Sequence, residues 1–327
     1  MKHRLSAWLG AFAVVIAVVL LVGVPVTGQA PSAAKSWTPP RTPDGQPDLQ
    51  GIWNYATITP LERPSELAGK QILGDEEVAA LEEQAAQRRI DRAPREGDPG
   101  TYNRFWLVEL EVVDNRTSLV VDPADGRIPP LTPEAQKRQA EREEHRRLHP
   151  ADSWEDRGLS ERCLSFSVPR LGAGYNSYYQ IFQTRDHVVI LNEMAHDARV
   201  IPLDGREHVP LNIRQWLGDP RGRWEGNTLV VDTTNFSPKS NFMGSAEKLH
   251  VVERFTRVGP KTLNYEVTVS DPTTWTKPWT AMIPLKQAQN QIYEYACHEG
   301  NYGMFGILSG HRAQEKTSEE AAKKGSR

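Results

Sequence analysis

The chain has 327 residues and a formal net charge of −3, with acidic and basic side chains mixed along its length. That length can bury a large core, and the absence of a basic stripe argues against nucleic acid as a partner. No Gly-x-Ser-x-Gly, His-Glu-x-x-His, phosphate-loop, Rossmann-glycine or Cys-x-x-Cys-His run occurs, so serine-hydrolase, zinc-protease, nucleotide and c-type haem chemistry all lose support.

Residues 1–30 read as a secretory signal peptide. Lys2 and Arg4 precede an apolar run, and Thr27, Gly28 and Ala30 supply small residues at a cleavage point. An uncleaved anchor is the alternative, because the run is long enough to approach a membrane span; it is the only membrane contact expected. Export, to the periplasm or the outside, places Cys163 and Cys297 where an even pair forms a disulfide, with two buried free thiols as the alternative. Residues 31–47, rich in Pro, Ser and Thr, read as an extended linker.

Residues 48–310 read as a single β-barrel-like domain with helical insertions. A first strand covers 48–54. A helix follows at 74–92, with Asp75 as N-cap, Glu76 and Glu77 at its positive end and Arg88, Arg89 and Arg92 at the other. Strands are expected at 105–113 and 118–121, the latter ended by Asp125-Gly126. Thr132-Pro133 opens a second helix to residue 148, polar on nearly every face. His145 and His149 are four apart on it and could share a cation, but no carboxylate or Cys pattern completes a site, and a solvated face accounts for them.

Further on, 178–184 and 187–194 form a hairpin about Arg185-Asp186, Ala195-His196-Asp197 is a turn, and 199–203 is a strand. Gly226-Asn227 lies between two β-prone runs, a two-residue hairpin signal. Strands are then expected at 248–258, 262–270, 279–285 and 291–297. The charged tail, 311–327, reads as frayed. The sum is a mainly β fold: an antiparallel meander forming a barrel or strongly curved sheet, with two peripheral helices. Gly51-Ile52-Trp53 is similar to the Gly-x-Trp of lipocalin-like (calycin) barrels, where the Trp closes the barrel floor.

Strand alternation sorts the side chains by face. Leu263, Tyr265, Val267 and Val269 share an apolar face, and Glu253 shares one with Leu249, Val251 and Phe255. Glu193 follows Val189 and Leu191, and in 291–297 the same parity joins Tyr293, Tyr295 and Cys297 to Glu299. A carboxylate on an apolar face must be paired or protonated, and burial raises its pKa toward that of a general acid or base. Pairing with Arg162, Arg199, Arg214 or Arg254 is the structural alternative. His298-Glu299 sits beside the expected disulfide and before Gly300-Asn301, and His196 lies three residues after Glu193, so both histidines could relay protons.

The runs Pro47-Asp48-Leu49-Gln50-Gly51-Ile52-Trp53, Gly222-Arg223-Trp224-Glu225-Gly226, Thr228-Leu229-Val230-Val231-Asp232-Thr233-Thr234-Asn235-Phe236 and Tyr293-Glu294-Tyr295-Ala296-Cys297-His298-Glu299-Gly300-Asn301 resemble those of a family of exported bacterial proteins. The resemblance covers most of residues 47–310 and implies export and a shared fold. It brings no reaction and no catalytic residues.

From the residues, the leading expectation is a barrel enclosing a pocket for a small aromatic or sugar-like ligand or substrate. Tyr175, Tyr178, Trp224, Trp275, Trp279 and Asn301 are the candidate lining. The chemistry would be acid–base, of lyase, hydratase or isomerase type, without cofactor or metal: Glu299 and Glu193 as acid or base, His298 and His196 as relays, Arg199 as anion stabiliser and Glu253 in reserve. A non-catalytic lipocalin-like carrier or sensor is the alternative. A divalent-metal enzyme using His298, Glu299 and His196 is the third reading.

Overall fold

The computed structural model describes residues 37–88, 110–166, 168–172 and 175–325. The expected signal peptide, most of the linker, the end of the first helix and the start of the 105–113 strand lie outside these residues.

Ten strands form one antiparallel sheet: β1 Gly51–Asn54, β2 Val120–Asp122, β3 Tyr178–Gln183, β4 His187–Asn192, β5 Ala198–Pro202, β6 Asp219–Glu225, β7 Thr228–Thr234, β8 His250–Gly259, β9 Thr262–Ser270 and β10 Trp279–Gln287. Their order is β5-β4-β3-β1-β10-β9-β8-β7-β6, and β2 pairs with β10. β1 and β2 share one flank of β10, β1 on Lys286 and Gln287 and β2 on Thr280 and Ala281. The two ends of this path, β5 and β6, lie side by side, so the sheet is a nearly closed barrel.

Local chemistry explains the meander. Gly226 takes φ +62° at the first turn position between β6 and β7, where a side chain would be strained. β9 alternates buried and half-buried residues along its whole length, as its sequence pattern requires. At the seam Gly222 of β6 has no room for a side chain. A Cβ there would lie 2.6 Å from Leu203 and 2.7 Å from Ile201, so glycine is what lets the barrel close.

Side chains fill the interior. Phe255 and Tyr265 stack at 4.8 Å between ring centroids, Tyr265 meets Tyr179 edge-on at 6.3 Å, and Tyr179 lies 4.6 Å from Tyr55. Trp53 is wholly buried, donates its Nε1–H to the Leu49 carbonyl at 2.9 Å, and carries the Arg257 guanidinium 5.5 Å above its ring. In the middle of this apolar packing sits one ion pair. Arg199 donates to both carboxylate oxygens of Glu253 (Nη1 to Oε1 at 2.9 Å) and to Thr233 Oγ1 at 3.2 Å, and Tyr265 donates its hydroxyl to Glu253 Oε1 at 2.8 Å. Glu253 is 1% exposed.

This pair corrects two expectations. Glu253 does face the core, but with Arg199 it forms the structural alternative rather than a catalytic acid. Arg199 is buried and engaged through its two terminal nitrogens by Glu253 and Thr233, with Nε unpaired but shut off from solvent, so it does not present itself to a substrate anion.

Three α-helices accompany the barrel: α1 Asp75–Arg88, α2 Pro133–Leu148 and α3 Tyr302–Gly325. Asp75 is the first residue of α1 rather than its cap; Gly74 precedes it, and its N–H is taken by the Glu77 carboxylate at 2.8 Å. Thr132 caps α2 by accepting from the Ala135 N–H at 3.1 Å. α3 replaces the expected frayed tail, although none of its residues is buried. Residues 110–113, the described part of the expected strand 105–113, have no strand pairing, and 291–297 is irregular chain without a ladder partner. Cys163 and Cys297 form a disulfide across a separation of 134 residues. Among the described residues no helix is long and apolar enough to cross a membrane.

Removing either member of the core ion pair leaves the other charge buried and unmatched. We expect Glu253→Leu or Arg199→Met alone to lower the unfolding free energy by about 3–5 kcal/mol, and the double substitution Arg199→Met with Glu253→Leu to recover most of it. Urea denaturation of the four proteins measures both quantities; additive losses would mean that the pair does not act as a unit.

Candidate active site at the barrel mouth

The chain that follows β10, residues 288–301, runs as a strap from Ile52 of β1, whose carbonyl accepts the Ala288 N–H, past the turn after β4, and is fastened at its far end by the Cys163–Cys297 disulfide. Beneath the strap lies the turn after β4. There Ala195 and His196 take φ values of +62° and +54° in succession. Left-handed backbone costs about 1–2 kcal/mol per non-glycine residue, and such strain concentrates at functional turns.

Glu193 opens this turn. It has helical rather than extended dihedrals, so it leaves the face that strand parity would assign it. In β4 it is Val188, Ile190 and Asn192 that point inward, not Val189 and Leu191. Glu193 is buried, as expected, but for a different reason: it folds back under the strap and is 2% exposed. Its Oε1 accepts the Tyr293 N–H at 3.1 Å. Its Oε2 is shut off from solvent with no hydrogen bond of regular geometry. Burial pushes this carboxyl up, with the Tyr293 N–H and the Asn176 side chain acting in the opposite direction.

His196 lies exposed at the edge of the turn, and its Nε2 accepts the Tyr295 N–H at 2.9 Å. The two histidine and glutamate acceptors thus hold alternate amides of the strap. Asp197 is half-buried, and burial pushes its carboxyl up against the pull of the Phe166 N–H at 3.2 Å and Ser165 Oγ at 3.4 Å. Tyr55 donates to Asn192 Oδ1 at 3.1 Å; burial pushes its phenol up while the nearby Arg170 charge draws it down. Arg170 itself reaches the Met194 sulfur at 3.1 Å and the Phe166 carbonyl at 3.2 Å. Two carboxyls, a guanidinium and a phenol therefore meet at the mouth.

The other expected site residues fall elsewhere. His298 and Glu299 are exposed in the turn that leads into α3, so the parity argument that tied Glu299 to an apolar face fails with its strand. They do not join His196 in a set of converging donor atoms among the described residues, which removes the geometry for the expected metal site. Asn301 caps α3, accepting from the Met304 N–H at 3.2 Å and donating to the Glu161 carbonyl at 2.9 Å. With Tyr295, Cys163 and Cys297 it lines an open cleft of about 400 Å³ beside the disulfide.

Tyr178 and Tyr175 are half-buried near the mouth, and Tyr178 bonds to the Asn290 side chain of the strap. The tryptophans do not line the mouth. Trp279 is core, with Phe242 stacked 6.3 Å away, and Trp224 is half-buried on β6. Trp275 faces a second cavity of about 540 Å³ under α2, with Leu131, Met243, Arg142 and Glu62. The expected ring-lined hollow inside the barrel is filled by Tyr265, Phe255 and Tyr179.

Sequence reasoning missed Tyr55 and Arg170. Tyr55 was legible, since it stands two residues after Trp53 and shares its face; Arg170 lies on irregular chain with no periodicity to orient it.

Comparison of the chain with family models, curated proteins and solved structures finds no match.

The raised Glu193 carboxyl fixes a sign. Its folded pKa lies above the unfolded value of about 4.3, so the protonated form favours the fold. That contribution is full below the unfolded value and is lost as pH rises through the folded one. Glu193→Gln keeps the oxygen that meets Tyr293 and removes the charge. It should therefore unfold at a higher temperature than the wild type at pH 7–8, with the gap closing toward pH 4. A gap that widens on acidification would contradict the burial argument.

A second expectation concerns the strap. Replacing Cys163 and Cys297 by Ser should expose the Tyr293 and Tyr295 amides to hydrogen exchange under conditions where Val267 in β9 remains protected. Strap amides as slow as before would show that Glu193 and His196 hold it unaided.

Proposed function

We propose that the chain is an exported enzyme that acts on a small molecule by acid–base chemistry at the strapped barrel mouth, with Glu193 as the group that takes or gives the proton. The observation that carries this reading is the Glu193 carboxyl, sealed from solvent with one oxygen unmatched and its pKa raised by burial. A structural carboxylate is matched on both oxygens, as Glu253 is; Glu193 is not.

In this reading the substrate enters where the Tyr293 N–H now meets Glu193. The deprotonated carboxylate removes a proton from carbon next to a carbonyl or hydroxyl-bearing centre, as in an isomerisation, elimination or hydration. His196, at the solvent edge, exchanges that proton with water. Arg170 takes the role of offsetting developing negative charge that was expected of Arg199. Tyr55, Tyr175 and Tyr178 suit a flat or sugar-like ring. Export rests on the basic and apolar start of the chain and on the Cys163–Cys297 disulfide, a bond of oxidising compartments. Membership of the exported bacterial family that the motifs resemble belongs to the same proposal.

The test is proton exchange. The protein is incubated in D2O with a panel of small aromatic, terpenoid and sugar-like hydroxy and keto compounds, and deuterium uptake at carbon is followed by NMR. Glu193→Gln should reduce the rate of any accepted compound by about 10²–10⁴-fold, and His196→Asn by less. Equal uptake with Glu193→Gln would remove Glu193 from the mechanism.

The carrier reading retains one specific support, the cavity of about 540 Å³ beside Trp275. Quenching of tryptophan emission by the same panel, lost in Trp275→Phe and without any deuterium uptake, would favour it.

A further inference from the structure

α3 is a 24-residue helix with no fully buried residue; only Met304, Ile307, Leu308, His311 and Glu315 are half-buried, so little of the packing that normally stabilises a helix is available to it. It is nevertheless placed against one particular turn. Arg312 Nη2 donates to the Ala151 carbonyl at 3.1 Å, and His311 Nε2 lies 3.1 Å from Asp152 Oδ1. One helical turn on, Glu315 Oε1 is 3.4 Å from the same His311 nitrogen. On the other side of Asp152, Oδ2 meets His149 Nδ1 at 2.7 Å. The opposing turn is itself held in place, since Arg157 Nη1 takes the Pro150 carbonyl at 2.9 Å.

We propose that Asp152, His311 and Glu315 form a binding site for a zinc-class divalent cation that clips α3 to the turn after α2. The donor atoms of these three residues all lie within 4.8 Å of one another. Tetrahedral zinc with bonds of about 2.0–2.1 Å sets its ligand atoms roughly 3.3 Å apart, and the separations from His311 Nε2 are 3.1 and 3.4 Å. An imidazole with two carboxylates suits zinc and its neighbours better than calcium or magnesium, which select all-oxygen sets.

His149 remains on Oδ2, orienting the carboxylate in the way outer partners of metal ligands do. The fourth position opens to solvent and takes a water. His149 finds its carboxylate three residues on, in Asp152, and His145 bonds Asp156 at 3.2 Å; it is His311 that the fold brings to the same carboxylate.

The test uses the full chain purified without a histidine tag and stripped with chelator. Calorimetric titration with ZnCl2 should give one site per chain, and Co2+ should give the visible bands of a tetrahedral centre. His311→Gln and Glu315→Gln should each weaken zinc at least tenfold, while His145→Gln leaves it unchanged. Zinc should also slow proteolysis within 302–310 in the wild type and not in His311→Gln. These substitutions sit on exposed surface and leave the barrel intact, which circular dichroism checks. No zinc uptake by the wild type would overturn the proposal. So would uptake that survives His311→Gln and is lost in His298→Gln, which would place the cation at the strap.

Discussion

The barrel is arranged around a charge that it cannot release. Glu253 and Arg199 are shut inside a wall of aliphatic and aromatic side chains, and each is tolerable there only because the other is present, with Thr233 and Tyr265 adding one hydrogen bond each. Satisfying both groups demands that β5, β7, β8 and β9 hold one mutual register, since each contributes one member. A slip by a single residue would turn an ionised group outward and leave its partner alone in the core. The apolar surface supplies most of the driving force; the pair makes this closure distinct from others of similar hydrophobic content.

From that centre an aromatic run leads to one end of the barrel, through Tyr265 and Tyr179 to Tyr55. The contrast between its two termini organises the functional argument. At the inner end every polar atom of Glu253 is matched. At the outer end Glu193 is as dry but only half matched, in a turn with two left-handed residues, beneath a segment held by backbone amides and a disulfide. The same residue type is paired with a cation in one place and not in the other, and the proposed chemistry rests on that difference in surroundings.

β8 and β9 were legible because both are long, alternate over most of their length and meet at Gly259-Pro260, and the β6–β7 hairpin because Gly226-Asn227 marks its turn, so period and turn chemistry agree. The caps of α2 and the partnership of the two cysteines were legible for equally local reasons. What was hidden is where parity breaks. Glu193 is placed by a helical dihedral that no alternation rule foresees. Glu299 was assigned to a strand because residues 291–297 look β-prone, yet they find no neighbour to pair with. α3 could not be read as helix from packing, since it buries no residue fully; its many charged side chains look the same in a frayed tail. The Asp152–His311 contact joins segments 159 residues apart, and only the fold brings them together.

The position of β1 has a bearing on how the molecule is made. This short strand, among the earliest of the described residues to leave the ribosome, lies between β3 and β10, and β10 is the last strand of the barrel to be synthesised. No partial chain can seat it on both sides. The cylinder can therefore shut only after β10 has been made, with β1 taken up between it and β3. Long-range pairing of that kind is slow, which leaves the half-built sheet with raw edges that a chaperone would have to shield.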